Sequence, residues 1–206
     1  MMKLILSTLI TLFAVGCGGP RYVEYFPHHD DGTPKPKVAL IPVVDSSKSG
    51  LTWDMSRELS EGIYYELMNS GQIYVMQPQE IGPIWNQRGS IDFFAPDMSF
   101  AKDFACADFV VAMELVDHTV KSVDSCNRVL TLNMRLRVMD VRYDKPRVVL
   151  YELVKADYQA AIPSNDVTGG ASWGDRGYSL TPCAKCHQRM IDNVAARLEQ
   201  VLWSAK

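Results

Sequence analysis

The sequence predicts an α/β (α+β) fold in which helices pack on a single mixed β-sheet, with the element order β-α-β-α-β-β-β-α. Three observations support this prediction. A buried strand, an amphipathic helix and a second strand follow one another after Lys37, residues 130–138 alternate between apolar and polar, and the last 25 residues form an amphipathic helix. The domain is therefore predicted over residues 37–206.

The first half of the domain indicates a parallel strand pair. Residues 38–44 form one apolar run, which is typical of a strand buried on both faces. The helix predicted over residues 52–70 ends at Gly71, a residue that suits a left-handed cap. Its apolar residues recur at every fourth position, namely Leu51, Met55, Leu59, Ile63 and Leu67. A strand at 72–76 follows closely, so a right-handed crossover and two parallel strands are expected.

The second half indicates an antiparallel meander. Short helices are predicted around residues 80–85 and 96–106, and a third strand covers residues 108–122. Alternation over 130–138 then predicts a strand with one polar face, and a turn at 143–146 returns the chain along residues 147–158.

The C-terminal helix has a clear start. Residues 161–180 are rich in Gly, Ser and Asp and are predicted to form a loop. Thr181 and Pro182 then match an N-cap followed by a first-turn proline. The apolar stripe of this helix comprises Met190, Ile191, Val194, Leu198, Val201 and Leu202.

The N-terminus has the pattern of a secretory signal peptide. One lysine, Lys3, precedes a mostly apolar run that ends in small residues. That run is shorter than the roughly 20 residues that a transmembrane helix needs. Residues 1–16 are therefore predicted to be a signal peptide, and the proline-rich residues 17–36 a flexible tether.

The segment Ala14-Val15-Gly16-Cys17 resembles the lipobox of bacterial lipoproteins, although Ala14 stands where that family usually has leucine. The resemblance implies that Cys17 carries a thioether-linked diacylglycerol and an amide-linked third chain, an anchor that holds stably. It also implies the inner leaflet of the outer membrane, facing the periplasm, because Gly18 is not the aspartate that retains many lipoproteins at the inner membrane. The alternative is an ordinary cleaved signal with an incidental cysteine.

The amino-acid composition limits the classes of function that are expected for this protein. The chain has 47% hydrophobic and 22% charged residues and a net charge of −3, as in an ordinary globular protein. A nucleic-acid partner is not expected, because nothing indicates a basic face. The expected partners are the membrane, which the chain contacts through the lipid on Cys17, and other envelope proteins. Further copies of this chain are also candidate partners.

Several segments resemble a group of envelope lipoproteins. Five segments of this chain follow the group's hydrophobic pattern: residues 38–42 (Val-Ala-Leu-Ile-Pro), the helix end at 66–71, the strand at 72–75, and the segments 107–111 and 134–141. The group contains the curli-secretion lipoprotein, the lipoprotein activators of penicillin-binding proteins, and the amino-terminal domain of the Tol-Pal translocation protein. The resemblance implies the same fold and a role in binding envelope proteins or forming rings, without catalytic residues.

The sharpest motif is Cys183-Ala184-Lys185-Cys186-His187, which matches the CxxCH attachment motif of c-type haem. In that motif both thiols bond to the haem and the histidine ligates the iron. The candidates for a second axial ligand are His118, His28, His29 and Met190.

A disulfide is the competing interpretation, because exported proteins oxidise their thiols. Cys183 and Cys186 are candidates to pair with each other, or with Cys106 and Cys126. A Cys106–Cys126 bond is disfavoured, because these residues lie at opposite ends of a predicted strand. A redox-active Cys183–Cys186 pair at the helix start is a further alternative.

No catalytic constellation is recognised, and no metal site is predicted. The function predicted is that of a lipid-anchored, non-enzymatic envelope lipoprotein without a cofactor, acting through protein contacts. The alternative is an electron-transfer lipoprotein that carries haem c on Cys183, Cys186 and His187.

Overall fold

One mixed sheet organises the computed structural model, which describes residues 27–87, 91–162 and 166–205. Its strands within these ranges are β1 (Lys37–Leu40), β2 (Val44–Asp45), β3 (Tyr74–Val75), β4 (Phe109–Ser122), β5 (Asn127–Asp140) and β6 (Arg147–Ala161). The order is β3-β1-β4-β5-β6, with β2 paired to β4. β1 is parallel to both β3 and β4, whereas β4, β5 and β6 form the antiparallel meander. The predicted fold class is confirmed.

Three α-helices and two 3-10 helices complete the described residues: α1 (Met55–Ser70), α2 (Pro78–Gln87), α3 (Pro182–Ser204), and the 3-10 helices Ser99–Phe104 and Tyr178–Leu180. The short helix predicted around residues 96–106 is present as a six-residue 3-10 helix, Ser99–Phe104, and not as an α-helix. The Asp97 carboxylate accepts hydrogen bonds from the backbone N–H and the hydroxyl of Ser99. This local turn competes with helical hydrogen bonding.

The first apolar run forms two short strands instead of the single strand predicted. Pro42 has no N–H to donate to a neighbouring strand, and β1 ends at Leu40 before β2 begins at Val44. Two serines of α1 satisfy the backbone at the break. Val43 N–H donates to Ser60 Oγ at 2.8 Å, and the Ser56 hydroxyl donates to the Val43 carbonyl.

The two faces of the sheet have separate apolar cores. α1 and α3 cover one face, here called the helical face, and bury residues such as Met113, Leu132 and Leu136. The opposite face is covered by α2, the first 3-10 helix and residues of the segment 91–98, which bury Val110 and Ala112 of β4. α1 and α3 approach closely at Gly62, where an added Cβ would lie 2.4 Å from Ile191 Cδ1.

The predicted signal peptide, Cys17 and most of the predicted tether lie outside the described residues. The last part of that tether, residues 27–36, forms a turn in which His29 N–H donates to the Thr33 carbonyl at 2.8 Å. The His29 ring also packs edge-on against Trp203 of α3. Within the ranges described, the helices are all too short or too polar to span a bilayer.

Candidate functional site

The start of α3 positions the cysteine motif. Thr181 Oγ1 accepts a hydrogen bond from Ala184 N–H at 3.1 Å, and Pro182 occupies the first turn, so the predicted helix start is confirmed. Residues four apart lie on the same side of a helix, so Cys183 and His187 share a face. Both side chains are buried in the core of the helical face.

His118 of β4 completes a cluster with these two residues. His118 Nε2 lies 3.2 Å from His187 Nε2, and Cys183 Sγ lies 3.4 Å from the same nitrogen. One ligand atom from each residue lies within 4.8 Å of the others. Cys183 and His187 are 0% and 1% exposed, and His118 is 8% exposed, so the cluster is nearly closed to solvent.

The carboxylate of Glu58, on α1, holds the other side of His187. Glu58 Oε1 lies 2.9 Å from His187 Nδ1 and accepts a hydrogen bond from the Tyr178 hydroxyl at 2.5 Å. Glu58 Oε2 accepts from Trp53 Nε1 at 2.7 Å. The Tyr178 oxygen is itself 2.9 Å from His187 Nδ1. Both carboxylate oxygens are therefore paired, as a buried charge requires.

These contacts keep Glu58 ionised despite its burial. Desolvation raises the pKa of the carboxyl, but the hydrogen bond and charge of His187, with the hydrogen bonds of Tyr178 and Trp53, outweigh that effect and lower the pKa overall. Because a carboxylate only accepts and Tyr178 uses its proton on Glu58, the His187 Nδ1 must carry a proton. The Nε2 of His187 faces His118 and Cys183.

Burial also sets the protonation of the other two members. Desolvation, together with the neighbouring His187, lowers the pKa of His118 to about 4, so its ring is neutral at neutral pH. Desolvation and the Glu58 charge raise the pKa of the Cys183 thiol to about 12. The cluster thus holds a neutral His118 imidazole and a protonated Cys183 thiol beside His187.

Cys186 has different surroundings, although it belongs to the same motif. Its sulfur faces the carbonyl oxygens of Leu130 and Ala156, at 3.7 and 3.9 Å, on β5 and β6. Burial raises the pKa of this thiol to about 12 as well. The sulfur of Cys183 instead faces His187.

The predicted disulfide is not present. The four described cysteines are free thiols, with Cys183 and Cys186 buried and Cys106 and Cys126 exposed. Cys106 and Cys126 flank the 14-residue strand β4, as the sequence indicated. The competing pairings of Cys183 or Cys186 with these distant thiols therefore also lack support.

The residues present do not fit a haem. Haem attachment needs both sulfurs beside one macrocycle and the His187 Nε2 directed at its iron. Here the two sulfurs face different neighbours, and that nitrogen faces a histidine and a thiol inside the packed core. Of the candidate axial ligands, His118 contacts His187, His28 and His29 lie in the N-terminal turn, and Met190 is buried on α3.

Sequence reasoning missed three residues of this site: Glu58, Trp53 and Tyr178. One signal was available for Glu58, because it lies between Met55 and Leu59 on the apolar stripe of α1, where a carboxylate needs a buried partner. Tyr178 falls in a segment predicted to be a loop, and nothing in its neighbours indicates burial.

Comparisons with solved structures found bacterial proteins to which this chain is similar. It is similar to the hypothetical protein CT253 from Chlamydia trachomatis, with 27% identity and a TM-score of 0.66 over 82% of this chain and 98% of that chain. It is less similar to lipoprotein GNA1162 from Neisseria meningitidis, with 15% identity and a TM-score of 0.42 over 66% of this chain and 88% of that chain. The LpoB C-terminal domain from Escherichia coli matches with 15% identity and a TM-score of 0.36, over 58% of this chain and 81% of that chain.

A comparison with curated proteins found no match. A family model, in contrast, matches residues 24–206, which is nearly the whole chain. The protein therefore belongs to the family of unknown function DUF7499.

Proposed function

We propose that this protein is a lipid-anchored lipoprotein of the bacterial envelope that acts through protein contacts and has no catalytic role. In this proposal Cys17 holds the chain at the inner leaflet of the outer membrane, and the residues that follow give it reach into the periplasm. The α/β domain presents a surface to other envelope proteins or to further copies of itself.

The observation that carries this proposal is the outer edge of β6. This strand has 15 residues, and among the described strands it pairs only with β5. Its other edge therefore offers backbone N–H and carbonyl groups to an added strand, a common mode of peptide recognition. A long open edge is unusual in a protein that avoids association.

Side chains beside this edge favour a partner. Tyr151 and Leu153, two residues apart, lie on the sheet face away from α3 and are 55% and 60% exposed. Three charged residues of β6, of a kind that normally protects an edge, are already paired within the chain. Glu152 pairs with Arg197 at 2.7 Å, and Lys155 pairs with Asp157 at 2.8 Å.

A photo-crosslinking amino acid at position 153 tests this surface in the cells that make the protein. We expect a discrete crosslinked product, whose mass distinguishes a second copy from another envelope protein. The matched control is Tyr65 of α1, which is 59% exposed but lies away from β6. Equal products from both positions, or none from position 153, would contradict the proposal.

The anchor is tested separately, by intact-mass analysis of the exported protein. We expect a chain that begins at Cys17 and carries acyl groups, and we expect Cys17→Ser to leave it unacylated. An unmodified Cys17 thiol or a retained leader in the natural protein would refute the anchor, without touching the prediction for β6.

A further inference from the structure

We infer that His118, Cys183 and His187 form a binding site for a thiophilic d10 metal ion, Zn²⁺ or Cu⁺, bound through two imidazole nitrogens and one thiolate. The site lies between β4 and α3 and is separate from the β6 edge.

The spacing of the three ligand atoms fits one metal ion. With zinc–nitrogen and zinc–sulfur bonds of ordinary length, tetrahedral angles place two nitrogens about 3.3 Å apart and a nitrogen and a sulfur about 3.6 Å apart. His118 Nε2 and His187 Nε2 are 3.2 Å apart, and Cys183 Sγ is 3.4 Å from His187 Nε2. These two distances lie within a few tenths of an ångström of the tetrahedral values, and all three ligand atoms lie within 4.8 Å of one another.

Three potential ligand atoms converge at this point of the core. His118 Nε2 and the Cys183 sulfur both lie within 3.4 Å of His187 Nε2. His187 Nδ1, on the other side of the ring, is directed at Glu58. A metal ion would accept a lone pair from all three atoms at once.

Glu58 supplies the outer support that a histidine ligand requires. Metal-bound histidines commonly donate their second ring N–H to a carboxylate, which fixes the tautomer and the ring orientation. The Glu58–His187 contact has this arrangement, and Tyr178 and Trp53 hold the carboxylate in turn.

The donor set and the surroundings select the class of metal. Two imidazoles and a thiolate favour Zn²⁺ or Cu⁺, whereas Mg²⁺ and Ca²⁺ require oxygen ligands. Binding forms a sulfur–metal bond and releases the Cys183 thiol proton to solvent, so no oxidant or reductant is consumed. A surface cleft between α1 and α3, lined by Glu58, Trp173, Tyr178 and Gln188, brings solvent close to the site.

Metal titration of the exported full-length protein, reduced and stripped of metal, tests the inference. Zn²⁺ and Cu⁺ are titrated separately, and Co²⁺ serves as a spectroscopic probe for zinc. We expect one equivalent of Zn²⁺ or Cu⁺ to bind and to raise the thermal midpoint, and Co²⁺ to show thiolate charge-transfer absorption. Cys183→Ala should weaken binding by more than about 100-fold.

Cys186→Ala is the matched control, because Cys186 belongs to the same motif but faces β5 and β6. It should bind metal as the natural protein does. Glu58→Gln should weaken affinity by about 10- to 100-fold while keeping the cobalt spectrum. If Cys183→Ala does not fold, His118→Gln carries the test, with the same expected loss.

Three results would overturn the inference. They are no stoichiometric binding by the natural protein, unchanged binding after loss of Cys183 or His118, and an equal loss in Cys186→Ala. The last result would indicate that both thiols act together, as in haem attachment or a disulfide.

Discussion

The two faces of the sheet differ in how far they are covered. Helices α1 and α3 bury the helical face along β4, β5 and β6, including the distal end that contains His118. On the opposite face, α2 and the first 3-10 helix cover β1 and the first half of β4. The remainder of that face, around Tyr151 and Leu153 of β6, is exposed to solvent.

Because of this difference, we expect the two regions to contribute to different properties, the helical face to stability and the open part of the opposite face to association with a partner. On the helical face the polar cluster of Glu58, His118 and His187 is buried, and each of these side chains has a partner within the cluster. On the open part of the opposite face, Tyr151 and Leu153 remain more than half exposed, although the Phe94 ring packs edge-on against Tyr151. We therefore expect substitutions on the helical face to change folding, and substitutions on the open part to change association.

The largest effect is expected from Leu136→Ala on β5. Leu136 is fully buried on the helical face, and truncation removes apolar contacts and leaves a cavity. We expect a loss of about 3 kcal/mol in the free energy of unfolding, measured by urea denaturation. A loss below about 1 kcal/mol would show that the helical face is loosely packed.

The second-largest effect on stability is expected at the contact between α1 and α3. Gly62→Ala adds a Cβ that would lie 2.4 Å from Ile191 Cδ1, so overpacking outweighs the gain in helix propensity. We expect a net loss of about 1 to 2 kcal/mol in the free energy of unfolding. Ile191→Val removes that Cδ1 atom, so the double variant should be less destabilised than the sum of the singles. Strict additivity would contradict the close approach.

The sequence predicted the features of both faces that depend on local patterns. The alternation at residues 130–138 identified β5 and its buried side, and Gly71, with a φ of 68°, ends α1 as expected. The break at Pro42 and the turn at Asp97 were also local, but the surrounding residues favoured regular elements. Pattern reasoning therefore failed where the chemistry of one residue, the missing N–H of Pro42 or the carboxylate of Asp97, overruled its neighbours.

The candidate site required information that local patterns do not contain. His118 lies 69 residues before His187, and Glu58 lies 129 residues before it. The CxxCH spacing drew attention to Cys183 and Cys186 together, although the helix turns their sulfurs toward different strands. Which of the two sulfurs faces the histidines depends on how α3 is rotated about its own axis relative to the sheet. Tertiary packing sets that rotation.

A smaller effect is expected where β5 ends, from Asp140→Asn. The hydrogen bonds of Arg142 lower the pKa of Asp140, so the folded protein favours the carboxylate. A lowered pKa in the folded state adds stability above the unfolded value of 3.8, and that stability is lost as the pH falls below it. We expect the substitution to cost about 1 kcal/mol at neutral pH.

The pH dependence separates this ion pair from a simple packing effect. Urea denaturation at several pH values should show the difference between the natural protein and Asp140→Asn shrinking below pH 3.8. A difference that stays constant through this range would mean that the charge of Asp140 does not contribute.

The smallest effect on stability is expected from Leu153→Ala on the open part of the opposite face. Leu153 is 60% exposed, so its truncation removes little buried area and should change the free energy of unfolding by less than about 0.5 kcal/mol. The same substitution should nevertheless weaken association at β6, because the partner would bury this side chain. Urea denaturation and crosslinking from position 151 measure the two effects in one variant. If Leu153→Ala destabilised the isolated protein as much as Leu136→Ala does, the open face would be part of the folding core, and the contrast between the two faces would fail.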